Sequence, residues 1–158
     1  MEATKQAVQG AQTARLLDED ELAAWRGFFR AHDRLTKALD VDLVSAHGLP
    51  LTSYEVLLYL ADSEEGRLRM SELADSVLLS RSGLTRLVDR LERQGLLRRE
   101  SCPSDRRGAY AAITQRGRDL FDRARATHLD GVRRRFLDHL SAEELHALGE
   151  IWRRTTGG

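Results

Sequence analysis

Lysine is nearly missing from this 158-residue chain: Lys5 and Lys37 are the only two, so 23 of its 25 cations are arginines. Cysteine occurs once, at Cys102, which excludes an internal disulfide and fits a reducing cytosol. No apolar run approaches the roughly 20 residues of a membrane-spanning helix, and Met1–Leu17 lacks the apolar core of a secretory signal, so the expected location is cytoplasmic. Net charge is also absent. The 25 cations balance 25 anions, which excludes a uniformly basic, histone-like binder. No Gly-rich phosphate loop, nucleophile elbow or His-Glu-x-x-His site is present, so the chain is not expected to be an enzyme. His32, His47, His128, His139 and His146 show no ligand spacing, so neither metal nor cofactor is expected.

What is present suits a soluble globular protein, with 41% hydrophobic and 32% charged residues. The length allows one domain, or one domain with an extension. Arginine's planar fork favours paired contacts to phosphate or guanine, although high-GC coding also enriches arginine. Its distribution says more. Residues 1–80 hold eight cations and fourteen anions. Residues 81–107 hold eight arginines (81, 86, 90, 93, 98, 99, 106 and 107) against Asp89, Glu92, Glu100 and Asp105. An overall neutral chain therefore has a cationic middle.

Capping-box patterns mark three helix starts, at Asp18 with Glu21, at Thr52 with Glu55, and at Ser141 with Glu144. His47-Gly48 before Pro50 and Gln94-Gly95 mark helix ends. The first helix, about 19–46, spaces Leu22, Trp25, Phe29, His32, Leu35, Leu39 and Leu43 at steps of three or four. At 1.5 Å per residue it extends about 40 Å, too far for so small a domain to cover, so part of its stripe is expected to meet another chain. Phe121, Ala124, Leu129, Val132, Phe136 and Leu140 form a similar C-terminal stripe, with Leu145, Leu148 and Trp152 beyond Ser141. Between these ends, helices are expected at 53–62, at 71–78 with Ser71 as cap, and at 81–94 with Ser80 as cap. Extended segments are expected at 96–101 and 109–114.

Two short helices, a tight link at Leu78-Leu79-Ser80 and an antiparallel ribbon describe a winged helix-turn-helix. The fold class is thus mainly α with a small antiparallel β-wing, dimerised through long N- and C-terminal helices. The expected divisions are a mobile extension 1–17, a dimerisation helix 18–48, a DNA-binding lobe 49–114 and C-terminal dimerisation helices 115–158. In the 81–94 helix, Leu84, Leu87, Val88 and Leu91 share one face. The opposite face carries Ser82, Arg86, Asp89 and Arg93, flanked by Thr85 and Arg90. A major groove about 12 Å wide admits one helix, and N-terminal residues of such a helix usually meet base edges. Arg81, Ser82, Thr85 and Arg86 are the candidates for bases, and Arg90 and Arg93 for phosphates. Arg106 and Arg107, on the ribbon tip between Pro103 and Gly108, suit a narrow minor groove, with Asp105 bracing one of them.

Met70-Ser71-Glu72-Leu73-Ala74, Ser80-Arg81-Ser82-Gly83-Leu84-Thr85-Arg86-Leu87-Val88-Asp89-Arg90-Leu91-Glu92, Gly95-Leu96 and Pro103-Ser104-Asp105-Arg106-Arg107-Gly108 through Ile113-Thr114 resemble MarR-type regulators, over about residues 18–156. The resemblance implies a homodimeric bacterial transcription factor whose first and last helices pair across a twofold axis. Its recognition helices would enter successive major grooves of a palindromic operator in double-stranded DNA, with the wings in flanking minor grooves. Asp105 and Arg107 match the wing motif, and Arg81 through Arg86 the reading face. Many members carry an acidic residue where this chain has Cys102. The likeness also implies repression relieved by a small aromatic or phenolic ligand, for which Trp25, Phe28, Phe29, His32 and Tyr54 are candidate lining residues, with Arg26 or Arg30 near a carboxylate. Two alternatives stand beside it: redox control through Cys102, whose arginine neighbours would favour the thiolate, and a winged helix that docks protein rather than DNA.

Overall fold

The computed structural model describes residues 15–77, 79–102 and 105–157, with Cys102, Asp105, Arg106 and Arg107 described by their backbone alone. Expectations placed on residues 1–14, on Leu78, Pro103 and Ser104, and on those four side chains lie outside the described residues. The element order is α1 (Glu19–His47), α2 (Leu51–Asp62), β1 (Arg67–Arg69), α3 (Met70–Ser76), α4 (Arg81–Arg93), β2 (Leu97–Cys102), β3 (Asp105–Ile113), α5 (Gln115–Arg135), a 3-10 turn (Leu137–His139) and α6 (Ala142–Thr156). The chain divides into two compact units between Asp33 and Arg34, inside α1.

The first unit holds the start of α1. Its cap forms as the sequence predicts: the Asp18 N–H donates to Glu21 at 2.9 Å and the Glu21 N–H donates to Asp18 at 2.9 Å. Two orphan backbone donors are satisfied reciprocally, a gain of about 1 kcal/mol.

The second unit holds the core. Leu43, Val56, Leu57, Leu60, Leu73, Val88 and Leu91 are fully enclosed. Leu39 and Leu43 on the later turns of α1 face this core, and α5 comes so close that a Cβ on Gly131 would stand 2.8 Å from Leu39 Cδ2. Asp42 takes two hydrogen bonds from Arg135, and His47 Nε2 lies 2.7 Å from Thr127 Oγ1. The bonds from Arg135 hold the Asp42 carboxyl below its usual range.

Two caps differ from expectation. Helix α2 begins at Leu51 rather than after Thr52, preceded by Pro50 and without a side-chain cap of its own. Asp40 on α1 supplies the acceptor instead, taking the Leu51 N–H at 2.8 Å. Helix α3 begins at Met70, so Ser71 lies inside it, and Glu72 accepts the Arg69 N–H at 3.0 Å. The caps at Ser80 and Ser141 form as expected, with Ser80 Oγ accepting from the Gly83 N–H at 3.1 Å and Ser141 sharing a full capping box with Glu144.

The expected two-stranded ribbon is a three-stranded antiparallel sheet in the order β1-β3-β2. Strand β1 pairs Arg67 with Ala112 and Arg69 with Tyr110, and β3 starts at Asp105, earlier than the Ala109 expected. One residue, Thr114, separates β3 from α5. Its hydroxyl donates to the Gly95 carbonyl at 2.7 Å and accepts the Gly117 N–H at 3.1 Å. A Cβ on Gly117 would lie 2.1 Å from the Leu96 carbonyl oxygen, so only glycine lets α5 start this close to the sheet.

Gly117→Ala is therefore expected to cost about 3 kcal/mol, as overpacking against backbone does, measurable by urea denaturation. A pH series supplies a second check. The depressed Asp42 value adds stability above its unfolded pKa of about 3.9, and this contribution disappears as pH falls through the lower folded value. Asp42→Asn should be less stable than the parent at pH 7, and the gap should close below pH 4.

Candidate nucleic-acid interface

Helix α4 owes its position to one apolar side. Leu84, Leu87, Val88 and Leu91 are 1%, 7%, 0% and 0% exposed. The helix geometry then turns Arg81, Ser82, Thr85, Arg86, Arg90 and Arg93 outward, and all six are exposed. Thr85 Oγ1 donates back to the Arg81 carbonyl at 2.8 Å. The Arg90 guanidinium donates to the buried Ser53 hydroxyl at 2.9 Å, which braces α4 against α2, and Arg93 Nε donates to the Asp89 carbonyl at 3.2 Å.

The arginines of the middle segment fall into two groups. Arg99 on β2 reaches Asp89 at 2.6 Å and Glu92 at 2.8 Å, and its N–H also donates to Glu92 at 2.9 Å. Asp89 is thus engaged with the sheet. Arg98 pairs with Glu100 at 2.7 Å, and Arg67 pairs with Glu65 and, at 3.2 Å, with Glu100. These two guanidiniums, Arg98 foremost, hold the Glu100 carboxyl below its ordinary range. Among the described residues, the carboxylates Asp89, Glu92 and Glu100 are consumed by the strand arginines. Arg81, Arg86, Arg90 and Arg93 have no carboxylate partner among the described residues, so the uncompensated positive charge is concentrated on the outer side of α4.

Two clefts flank these arginines. One of about 300 Å³ lies between α3, the first turn of α4 and β3, with Arg69, Ser71, Arg81, Thr85 and Gly108 on its walls. A shallower one of about 230 Å³ is lined by Thr52, Gly83, Arg86 and Arg90. Each has two arginines on its walls, Arg69 and Arg81 in the first and Arg86 and Arg90 in the second.

The candidate ligand-lining residues occupy two settings. In the first unit, Trp25 meets Phe29 at 4.6 Å between ring centres, Phe28 meets Phe29 at 5.2 Å and His32 at 6.4 Å. Trp25, Phe28 and Phe29 are 56%, 43% and 50% exposed. In the second unit, Tyr54 is 2% exposed, and its ring lies 5.4 Å from Phe121 and 4.5 Å from His128. Burial pushes the Tyr54 phenol up and the His128 imidazole down, both toward their neutral forms. Tyr54 is a core residue here, packed on Phe121 and His128. No group of three or more metal-ligating side chains gathers among the described residues.

The MarR family model matches residues 47–108, from the end of α1 into β3. MhqR, an HTH-type transcriptional regulator of Bacillus subtilis, is 32% identical over 111 residues, covering 70% of this chain and 74% of MhqR. The chain belongs to the MarR family. Among solved structures, Sco3205 of Streptomyces coelicolor, a MarR family transcriptional regulator in complex with DNA, is 40% identical with a TM-score of 0.85, covering 90% of this chain and 89% of that one. AbsC of the same organism, also a MarR family transcriptional regulator, is 36% identical with a TM-score of 0.85, covering 90% and 96%. A mainly helical chain with a small antiparallel sheet is thus the fold of winged-helix MarR proteins. Among its described residues no helix is long and apolar enough to cross a membrane.

In this MarR chain the residue whose role sequence reasoning left unassigned is Arg99. Counted with the cationic middle, it is a clamp between the sheet and α4. The signal available was Asp89 and Glu92, three residues apart on one side of the helix, where a strand arginine can reach both. Arg99→Met is expected to lose about 1 kcal/mol and to speed amide hydrogen exchange along β2. Arg98→Met, at a more exposed pair, should stay within about 0.5 kcal/mol.

Proposed function

We propose that this MarR-family chain is a homodimeric, sequence-specific binder of double-stranded DNA that acts as a transcriptional repressor. One observation carries the reading: the outward arginines of α4 are left without carboxylate partners while the strand arginines beside them are neutralised. Such a surface is unfavourable on its own and is satisfied by phosphate, with counterions released to solvent. A protein-docking surface gains nothing from so dense an unpaired charge. The DNA complex of Sco3205 supports the same assignment.

Residues 49–114 form the DNA-binding lobe. Arg81, Ser82, Thr85 and Arg86 read base edges, with Arg86 forking onto guanine O6 and N7. Arg93 contacts phosphate, and Arg90 does so while braced by Ser53. Asp89 acts indirectly, through Arg99. Arg106 and Arg107 enter the minor groove with Asp105 beside them. Residues 18–48 and 115–158 pair two copies. The exposed rings of Trp25, Phe28 and Phe29 supply the apolar surface for this on α1, and Leu145, Ile151 and Trp152, at 37%, 39% and 39% exposure, supply it on α6. Half-sites then lie about one helical turn, roughly 34 Å, apart. Release by an aromatic ligand would draw on the Trp25–His32 cluster rather than on Tyr54, whose ring is enclosed.

The test begins with operators selected from a random duplex pool, on which binding should fall log-linearly with salt. Arg86→Ala should weaken cognate binding by about 1–3 kcal/mol and relax one base position. Arg93→Ala should weaken cognate and random DNA alike and lower the salt slope by about one. A flat salt response, or equal losses on both DNAs for the two variants, would overturn the assignment. Light scattering should give twice the chain mass.

A further inference from the structure

The cleft of about 300 Å³ beside α4 has walls on two elements that the proposed function sends into different grooves. Arg81 and Thr85 stand on the first turns of α4, and Gly108 and Ala109 lie on β3 at the base of the hairpin. A major groove and the minor groove beside it are separated by a single sugar-phosphate strand. A duplex entered by α4 on one side and by the hairpin tip on the other therefore carries that strand across this cleft. The other polar residues on its walls are Arg69 and Ser71, and among the described residues that line it none is a carboxylate.

Arg69 is held at this spot from two directions. Its N–H donates to Glu72 at 3.0 Å where β1 passes into α3, and in the sheet it stands directly opposite Tyr110. Its guanidinium carbon lies 5.6 Å from the centre of the Tyr110 ring, within the roughly 6 Å over which an aromatic face attracts a cation. Arg67, two residues earlier on the same side of β1, lies 5.1 Å from that ring but pairs with Glu65 and Glu100. A ring against the face of a guanidinium orients it without drawing on its N–H donors, which lie at its edge. From this juxtaposition we infer that Arg69 binds a phosphate of the strand between the two grooves, with the Ser71 hydroxyl beside it, and that Tyr110 is its positioning residue. The inference rests on the DNA binding proposed above and adds a contact outside both the reading helix and the hairpin tip. Such a contact fixes the register of the protein on the duplex without reading sequence.

The test uses the full chain and operator duplexes selected from a random pool, followed by fluorescence anisotropy. Arg69→Gln should weaken cognate and random duplexes alike, by about tenfold, and lower the salt slope by about one. A scan with one uncharged methylphosphonate per duplex locates the contact. For the parent chain, neutralising the linkage between the two grooves should cost about tenfold. For Arg69→Gln that linkage should cost nothing further, while the other contacted linkages keep their cost. Tyr110→Leu should reproduce the Arg69→Gln pattern, and Tyr110→Phe, which keeps the ring, should match the parent. Circular dichroism checks that each variant folds. Parent affinity and salt slope in Arg69→Gln, or undiminished sensitivity at that linkage, would overturn the phosphate contact and leave the function above standing. So would a loss confined to the cognate sequence, since Arg69 would then read a base. Parent behaviour in Tyr110→Leu would overturn the positioning role. A parent chain with no salt-dependent affinity for any duplex would overturn the function and this inference together.

Discussion

Helix α4 is held by the joint withdrawal of Leu84, Leu87, Val88 and Leu91 from water, and what its other side presents follows from that burial. Each such side chain contributes about 1.5–3 kcal/mol when fully enclosed, far more than any surface ion pair nearby. The orientation of Arg86 is therefore set by hydrophobic packing, and the polar contacts refine it. Arg90 on Ser53 and Arg99 on Asp89 and Glu92 tie the helix to α2 and to the sheet. The charged face can stay uncompensated because the apolar face holds the helix in place.

Much of this was legible in the sequence because the signals were local. The Asp18 and Ser141 caps, the end of α1 at Gly48 and the inward and outward sides of α4 each depend on residues within about one or two helical turns. The misses depended on distant partners. Thr52 sits in a good capping pattern, yet Asp40, eleven positions before Leu51, takes the Leu51 backbone donor of α2 once α1 folds beside it. Strand β1 is three residues of arginine and leucine with no periodicity to detect, and it exists because β3 offers a free edge. Tyr54 looks like any half-polar ring until Phe121 and His128 close over it.

Charge shows the same limit. A count over residues 81–107 correctly marks the region as cationic, but it cannot say which cations are used internally. Strand geometry decides that. Arg98 and Arg99 point to opposite sides of β2 and find Glu100 and the Asp89–Glu92 pair respectively, whereas the helical arginines face outward beyond the reach of those carboxylates. The cationic character of the region thus belongs to one helix face rather than to the whole segment.

The joint at Thr114 has a mechanical consequence. A single residue connects β3 to α5, and its hydroxyl is bonded on both sides, so the joint has no slack to absorb a displacement. A tilt of the long C-terminal rod is geared directly into the hairpin, and the hairpin cannot be lengthened at its base without dislodging the rod.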